Sequence, residues 1–283
     1  MSIASDFLKI IEQISQKITI PFIKDVYIPP INPKNKDHSK LSNFGAIMLE
    51  DGAIGIFFVS LSPDIKKIGE NVVLSQYIGM NPIILAKKFG SLDSFEKTLG
   101  LGAINAISQH IFKKSDYLFD FTSDPLGLLN LNKFDKPGMV GFFPPLVKLI
   151  QEMALELIIV EKKTQLVKKT ANWEVTLDLN RLVDCNKILI TSTTVLNESI
   201  DEVLKYCSKA EKISIIGPTA GFFPDPLFLR GIDIVGGTFI HNSKLFMELI
   251  SENKRWGPST KKYCIQKKNY PGISSLLDKI EKI

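Results

Sequence analysis

Residues 138–161 have the sequence GMVGFFPPLVKLIQEMALELIIVE, and this stretch decides the fold. One short apolar run ends at Phe142, and a second ends at Glu161. Between them, Pro144 and Pro145 suit the start of a helix, because the N–H group that proline lacks has no partner in the first turn. The stretch therefore predicts a strand, a helix and a second strand.

The same alternation continues towards the C-terminus. Short apolar runs separated by helical patterns are typical of a parallel sheet that is covered on both faces. We therefore predict an α/β fold with a Rossmann-like, doubly wound sheet of five parallel strands. These strands should end near Gly141, Glu161, Thr191, Gly217 and Val235.

The first part of the chain predicts a smaller α+β unit. Apolar residues recur at helical spacing over residues 3–18, and a second helical pattern covers residues 94–112. Between them, two β-rich runs flank Asp51-Gly52, which predicts a hairpin. Residues 113–135 show no clear period and are interpreted as a linker. We therefore expect a first domain with its linker over residues 1–133 and a second domain over 134–283.

The composition of the chain excludes some classes of binding partner. The net charge of +5 is concentrated in a basic C-terminal tail, residues 251–283, which we interpret as a solvated, partly mobile surface. Lysines far outnumber the three arginines on which specific nucleic-acid recognition relies, so no nucleic-acid partner is expected. No apolar run is long enough to span a membrane. The three cysteines are few and far apart, and no signal peptide precedes them, which favours the cytoplasm.

The residues that follow the strands are candidate ligand contacts, because ligands of such sheets bind at the carboxyl ends of the strands. Hydroxyl groups at a strand-to-helix junction can cap the helix and can also bind an anion. A further candidate, Asn105, lies in a stretch of small residues within the helix predicted over 94–112. The candidate site residues at the strand ends are Gly141, Phe142, Glu161, Thr191, Thr193, Thr194, Asn197, Gly217 and Thr219.

Several of these candidate residues could instead have a purely structural role, and the sequence does not decide between the two. Glu161 lies where a dinucleotide-binding fold holds a ribose hydroxyl, but the loop after the first strand lacks the glycine spacing of that fold. Glu161 is either a ligand contact or a strand-end charge. Asn105 is either a site residue or a buried amide bonded to the backbone, and residues 217–221 are either a site loop or a tight turn. The spacings typical of side-chain metal sites are absent.

Five segments carry a resemblance to a known family: residues 138–146, 159–161, 191–197, 216–219 and 231–237. With them, residues 134–270 resemble the putative heavy-metal chelation domain, a Rossmann-like family of unknown biochemical function. The first part is similar to the enolase-N-terminal-like domain that precedes it in that family, with residues 102–106 the best match. Where the family usually has Asn-Gly-Thr, this chain has Asn197, Glu198 and Ser199.

The resemblance implies a site in a cleft between the two domains, where Asn105 supplies the domain contact. It implies an uncharacterised protein that binds a metal ion or a metal-containing small molecule, with a heavy-metal ion as the implied cofactor. The alternative is an enzyme that uses an adenosine-type ligand, S-adenosylmethionine or a nicotinamide nucleotide, so catalysis is left open. The partner expected is a small molecule or metal ion, and a homo-oligomer is also left open.

Overall fold

Two sheets organise the part of the chain that the computed structural model describes, which is residues 2–29, 43–59 and 74–282. The strands are β1 (Ile23–Tyr27), β2 (Phe44–Leu49), β3 (Ile54–Phe58), β4 (Pro137–Val140), β5 (Leu157–Val160), β6 (Lys168–Lys169), β7 (Trp173–Thr176), β8 (Lys187–Thr191), β9 (Lys212–Ile216), β10 (Ile234–Ile240) and β11 (Thr260–Gln266). The α-helices are α1 (Ile3–Lys17), α2 (Pro82–Lys87), α3 (Ser94–Lys114), α4 (Pro125–Leu129), α5 (Pro144–Glu152), α6 (Thr193–Leu196), α7 (Ile200–Lys205), α8 (Asp225–Phe228), α9 (Ser243–Ser251) and α10 (Ile273–Ile280).

The larger sheet has eight strands in the order β11-β10-β9-β8-β4-β5-β7-β6. Its central strands, from β10 to β5, are parallel, as the apolar runs predicted. The prediction of an α/β fold is therefore confirmed. β7 adds a sixth parallel strand beside β5, and the two outermost strands, β6 and β11, run antiparallel to their neighbours.

One predicted strand end was wrong. Val235 was expected to close the last parallel strand before Gly236 and Gly237, but β10 continues to Ile240. The reason is the partner strand: Gly236 pairs with Cys264 and Gly237 with Tyr263 of β11. Antiparallel pairing on this side carries the strand past the glycines.

The basic C-terminal segment is folded, contrary to the interpretation of a partly mobile surface. Its strand β11 exposes Lys261 and Lys262 but buries the apolar residues that follow them. Helix α10 is amphipathic and packs its buried face on the body of the protein. The lysines are solvated, as expected, while the apolar residues between them anchor the segment. The buried residues are Tyr263, Cys264, Ile265, Ile273, Leu276 and Leu277.

The first part of the chain forms the predicted hairpin, in which β2 and β3 pair antiparallel on either side of Asp51-Gly52. β1 joins β2 on its other edge. Helix α3 lies against β3 and is buried along most of its length. The segment interpreted as a linker contains α4, which Asp124 caps by accepting hydrogen bonds from the Leu126 and Gly127 N–H groups.

The two parts share a continuous apolar core. A single cluster of buried side chains runs from α1 and α3 to the larger sheet. Phe7 of α1 packs against Phe222, with ring centroids 5.3 Å apart, and Phe112 of α3 packs against Phe223 at 5.6 Å. A domain boundary near residue 134 stays a prediction. Within the described ranges, no helix combines the length and the apolar character needed to cross a bilayer.

Candidate functional site

The carboxyl ends of β5, β4, β8 and β9 lie side by side in the larger sheet. The four segments that follow them are residues 161–164, 141–145, 191–197 and 217–224, and we call them the rim loops. All the predicted site residues except Asn105 belong to the rim loops. The parallel order of the strands therefore brings segments from 84 residues of sequence to one edge.

Glu161 connects two of the rim loops. One oxygen of its carboxylate accepts a hydrogen bond from the Phe142 N–H (N···O 3.1 Å). The other accepts from the N–H groups of Lys162 and Lys163, at 2.8 and 3.2 Å. Three backbone donors thus converge on one carboxylate, which compensates its charge without a cation. This geometry fixes the loop after β4 to the loop after β5.

The hydroxyl groups at the end of β8 and in the loop after it have partners within the protein. The Oγ1 atoms of Thr191 and Thr193 are 3.0 Å apart, and the Thr194 hydroxyl donates to the Thr191 carbonyl at 2.7 Å. Ser192 is the N-cap residue of α6, but its side chain makes no capping bond. Gly141 lies against this cluster, since a Cβ at position 141 would be 3.0 Å from the Thr191 Cγ2 atom. The two loops are therefore in direct contact.

The loops after β8 and β9 meet at a buried hydroxyl pair. The Ser192 Oγ and Thr219 Oγ1 atoms are 2.8 Å apart, and both residues are buried. Gly217 makes this approach feasible, because a Cβ at that position would lie only 2.1 Å from the Ser192 Oγ atom. A residue with a side chain at 217 would separate the two loops.

Asn105 joins the first part of the chain to the rim. Its Nδ2 atom donates to the Ile56 carbonyl of β3 at 2.7 Å and to the Thr219 carbonyl at 3.0 Å. The residue has no solvent exposure, and its Oδ1 atom has no hydrogen-bond partner. One turn further along α3, Gln109 donates to the Gly221 carbonyl at 2.9 Å. α3 therefore holds the loop after β9 by two amide side chains.

Asn197 lies at the outer end of the rim. Its side chain is exposed, and its Oδ1 atom accepts hydrogen bonds from the N–H and hydroxyl groups of Ser199. Its backbone N–H donates to the Thr193 carbonyl at 3.1 Å, which is its link to the other predicted residues. The neighbouring Glu198, which departs from the family pattern, forms an ion pair with Lys97 of α3. Glu161 and Thr193 lie at the same end of the sheet, as the predicted site requires.

The donor set does not fit a bare metal ion. Among the described residues, no group of three or more His, Cys, Asp and Glu side chains lies close enough together to hold a metal. The three thiols are buried, and burial raises the pKa of Cys185 to about 11 and of Cys207 and Cys264 to about 12. At neutral pH they are protonated, and a thiol coordinates metals only as a thiolate.

Some residues at this edge escaped the sequence analysis. Ser192 stands within the hydroxyl run, so its contact with Thr219 had a visible signal in the sequence. Lys162 and Lys163 directly follow Glu161 and are exposed beside it. Tyr263, whose hydroxyl donates to the Ala220 carbonyl at 3.1 Å, had no signal, because its contact depends on the pairing of a distant edge strand.

The fold is that of an α/β protein with a mostly parallel sheet, and the rim loops lie at the carboxyl edge, where sheets of this class hold their ligands. A family model described as "Putative heavy-metal chelation", DUF364, matches residues 124–268, slightly more than half of the chain. The chain belongs to this family.

One relative and two solved structures are similar to this chain, and their descriptions name no function. A protein of Methanocaldococcus jannaschii, described as uncharacterized, is 27% identical over an alignment of 207 residues that covers 71% of this chain and 74% of the relative. A crystal structure of a DUF364 protein of unknown function from Pyrococcus horikoshii has a TM-score of 0.67 and 17% identity, covering 93% of this chain and 99% of the other. A Desulfitobacterium hafniense DUF364 structure also has a TM-score of 0.67, with 16% identity and coverage of 93% and 98%.

Proposed function

We propose that the protein binds a small metal-containing molecule at the rim loops, in a cleft to which α3 contributes one wall. The observation that carries this proposal is the convergence of four strand ends at one edge of the sheet, with polar side chains concentrated after β5 and β8. The first part, which we propose to be enolase-N-terminal-like, supports the site through Asn105. The family description supports a metal in the ligand.

The donor set favours a metal complex over a bare ion. Hydroxyl, amide and backbone groups recognise an organic molecule by hydrogen bonds, whereas a heavy-metal ion prefers thiolate and imidazole ligands. The only carboxylate in the rim loops, that of Glu161, already accepts three backbone hydrogen bonds. We therefore propose that the metal arrives already held by an organic chelator.

An adenosine-type ligand is the second candidate, and the position of Glu161 supports it. The residue follows the second strand of the parallel unit, where an acidic side chain can bind a ribose diol. Two features oppose it. The carboxylate is engaged by backbone N–H groups, and Pro144 and Pro145 leave the first turn of α5 without two N–H donors for a phosphate.

A thermal-shift comparison tests the proposal. A ligand at roughly 100 times its Kd should stabilise the protein by about 2.7 kcal/mol. We expect a shift with nickel citrate and none with nickel chloride. In Thr193→Val the stabilisation should fall to about half, roughly 1.4 kcal/mol for a tenfold loss of affinity. It should persist unchanged in the control Thr260→Val, which changes a half-buried threonine at the far edge of the sheet.

Two results would contradict the proposal. One is stabilisation by nickel chloride that equals that by nickel citrate. The other is a nickel citrate shift that is unaffected by Thr193→Val. Stabilisation by S-adenosylmethionine or NAD that is lost in Glu161→Ala would instead support the second candidate.

A further inference from the structure

The rim loops carry an unbalanced charge. Three charged residues lie within them: Glu161, Lys162 and Lys163. The Glu161 carboxylate is compensated by three backbone N–H groups, while both lysine side chains are exposed and have no ion pair with any described residue. Glu198, just beyond the loop after β8, is neutralised by Lys97. The remaining charge of the rim loops is therefore positive.

The accessible rim side chains keep hydrogen-bond donors that no described group uses. Thr191 and Thr193 share one hydrogen bond, so one of their two hydroxyl hydrogens stays free whichever residue donates. The Asn197 Oδ1 atom already accepts twice, which leaves its exposed Nδ2 group as a donor. The Glu161 carboxylate already accepts three backbone hydrogen bonds, and the unpartnered Asn105 Oδ1 atom is buried behind the loop after β9.

We propose that the ligand of the rim loops is an anion, bound through carboxylate or phosphate oxygens by Lys162, Lys163 and the free donors of the Thr191–Thr193 pair and Asn197. This inference rests on the proposed function, since it assumes that the rim loops bind a ligand. It specifies the metal complex: the chelate carries a net negative charge. The two ammonium groups would repel a cationic ligand at the rim loops, and the only carboxylate in these loops, that of Glu161, already accepts three backbone hydrogen bonds.

Lys162 and Lys163 should affect anion binding because they are close to the site, and not through the net charge of the whole protein. At physiological ionic strength the Debye length is about 8 Å, so charges far from the rim contribute little. The chain offers a matched control in Lys261 and Lys262, which are also adjacent and exposed. They lie on β11, five strand spacings or about 24 Å from β5. Replacing either lysine pair by glutamine lowers the net charge of the protein by the same amount, so only the position of the lost charges differs.

Isothermal titration with metal-free citrate and pyrophosphate tests the inference and distinguishes carboxylate from phosphate recognition. We expect at least one of them to bind the full-length protein. Its affinity should fall about tenfold in the double variant Lys162→Gln/Lys163→Gln and less than twofold in Lys261→Gln/Lys262→Gln. The same affinity should weaken as sodium chloride rises from 50 to 500 mM, because salt screens exposed charges. Equal losses in the two double variants would overturn the inference, as would no binding of either anion.

Two nickel chelates separate this inference from the proposed function. Nickel citrate is anionic, and nickel bis-glycinate is neutral. If both bind equally and both depend on Thr193, the proposed function holds and the anion inference fails. If neither chelate binds while pyrophosphate binds with the expected lysine dependence, the anion inference holds and the metal-containing ligand is ruled out.

Discussion

The chemistry of single side chains at the rim depends on how far their hydrogen bonds are already satisfied. Sequence alone identified the hydroxyls, Asn197 and Glu161, because these residues follow apolar runs. It did not reveal that the Glu161 carboxylate holds three backbone N–H groups or that Ser192 pairs with Thr219. Such pairings depend on the distance between loops that are far apart in sequence. They leave the Glu161 carboxylate occupied and the two lysines beside it without an ion pair among the described residues.

Thr193 and Asn197 should affect binding more than folding. Neither side chain is the N-cap of α6, and Thr193 shares its hydrogen bond with another hydroxyl. Losing a hydrogen bond to a ligand leaves its partner unsatisfied, which costs roughly 1–3 kcal/mol. We expect Thr193→Val and Asn197→Ala to weaken nickel citrate binding by about tenfold and to move the melting midpoint by only a few degrees. Collapse of stability with unchanged affinity per folded molecule would show that these residues are structural.

Asn105 should behave in the opposite way, with a large effect on stability. Its Nδ2 group satisfies two buried carbonyls, those of Ile56 and Thr219. Asn105→Ala leaves both without this donor, so we expect the unfolding free energy to fall by about 2–4 kcal/mol in urea titration. The control Ser108→Ala removes a buried hydroxyl that bonds only within α3 and should cost at most about 1 kcal/mol. Equal costs for the two variants would refute the bridging role.

At the scale of elements, the predictable strands were those with a strong local signal. β4, β5, β8 and β9 are short apolar runs buried on both faces, so their sequences alone identified them. β7 and β11 were missed because they are less uniformly apolar, and β11 is an edge strand with lysines on its exposed side. Their strand character comes from pairing with neighbours, which composition does not encode.

The contact between the loops after β8 and β9 depends on the absence of a side chain at position 217. In Gly217→Ala the new Cβ would meet the Ser192 Oγ atom, so we expect a loss of about 1–3 kcal/mol in unfolding free energy. Removing that oxygen by Ser192→Ala should reduce the cost of the glycine substitution. A double-mutant cycle measures this coupling, and additive effects of the two substitutions would contradict the proposed contact.

The hairpin is tied to α3 by a carboxylate–imidazole contact. The Asp51 Oδ2 atom lies 2.9 Å from the His110 Nδ1 atom. Burial alone would raise the pKa of Asp51, but the hydrogen bond with His110, the bond from the Ala53 N–H group and the charge of Lys113 lower it overall.

This lowered pKa predicts a dependence of stability on pH. A carboxyl with a depressed pKa in the folded state stabilises the protein above its unfolded pKa of about 3.9 and loses that contribution as the pH falls. We expect Asp51→Asn to lose less unfolding free energy than the wild type between pH 5 and pH 3, measured by urea titration. Asp25→Asn, on the same small sheet, serves as the control. If Asp51→Asn loses as much unfolding free energy as the wild type over this pH range, the contribution of the Asp51 carboxylate is contradicted.

At the scale of the whole molecule, the shared core links the proposed site to the body of the protein. α3 contacts β3 on one side and the loop after β9 on the other, and the aromatic pairs Phe7–Phe222 and Phe112–Phe223 pack beside it. The rim loops therefore rest on a rigid core, which suits the precise placement of donor groups. The DUF364 relatives share this fold across almost their full length.

The central claim is that the rim loops bind the ligand, and hydrogen exchange of the full-length protein tests it most directly. Amide exchange is measured by mass spectrometry with and without saturating nickel citrate. We expect slower exchange in peptides that cover residues 141–145, 161–164, 191–197 and 217–224, and no change in β11 or α10. Protection confined to other segments, or no protection under conditions in which titration shows binding, would contradict the claim.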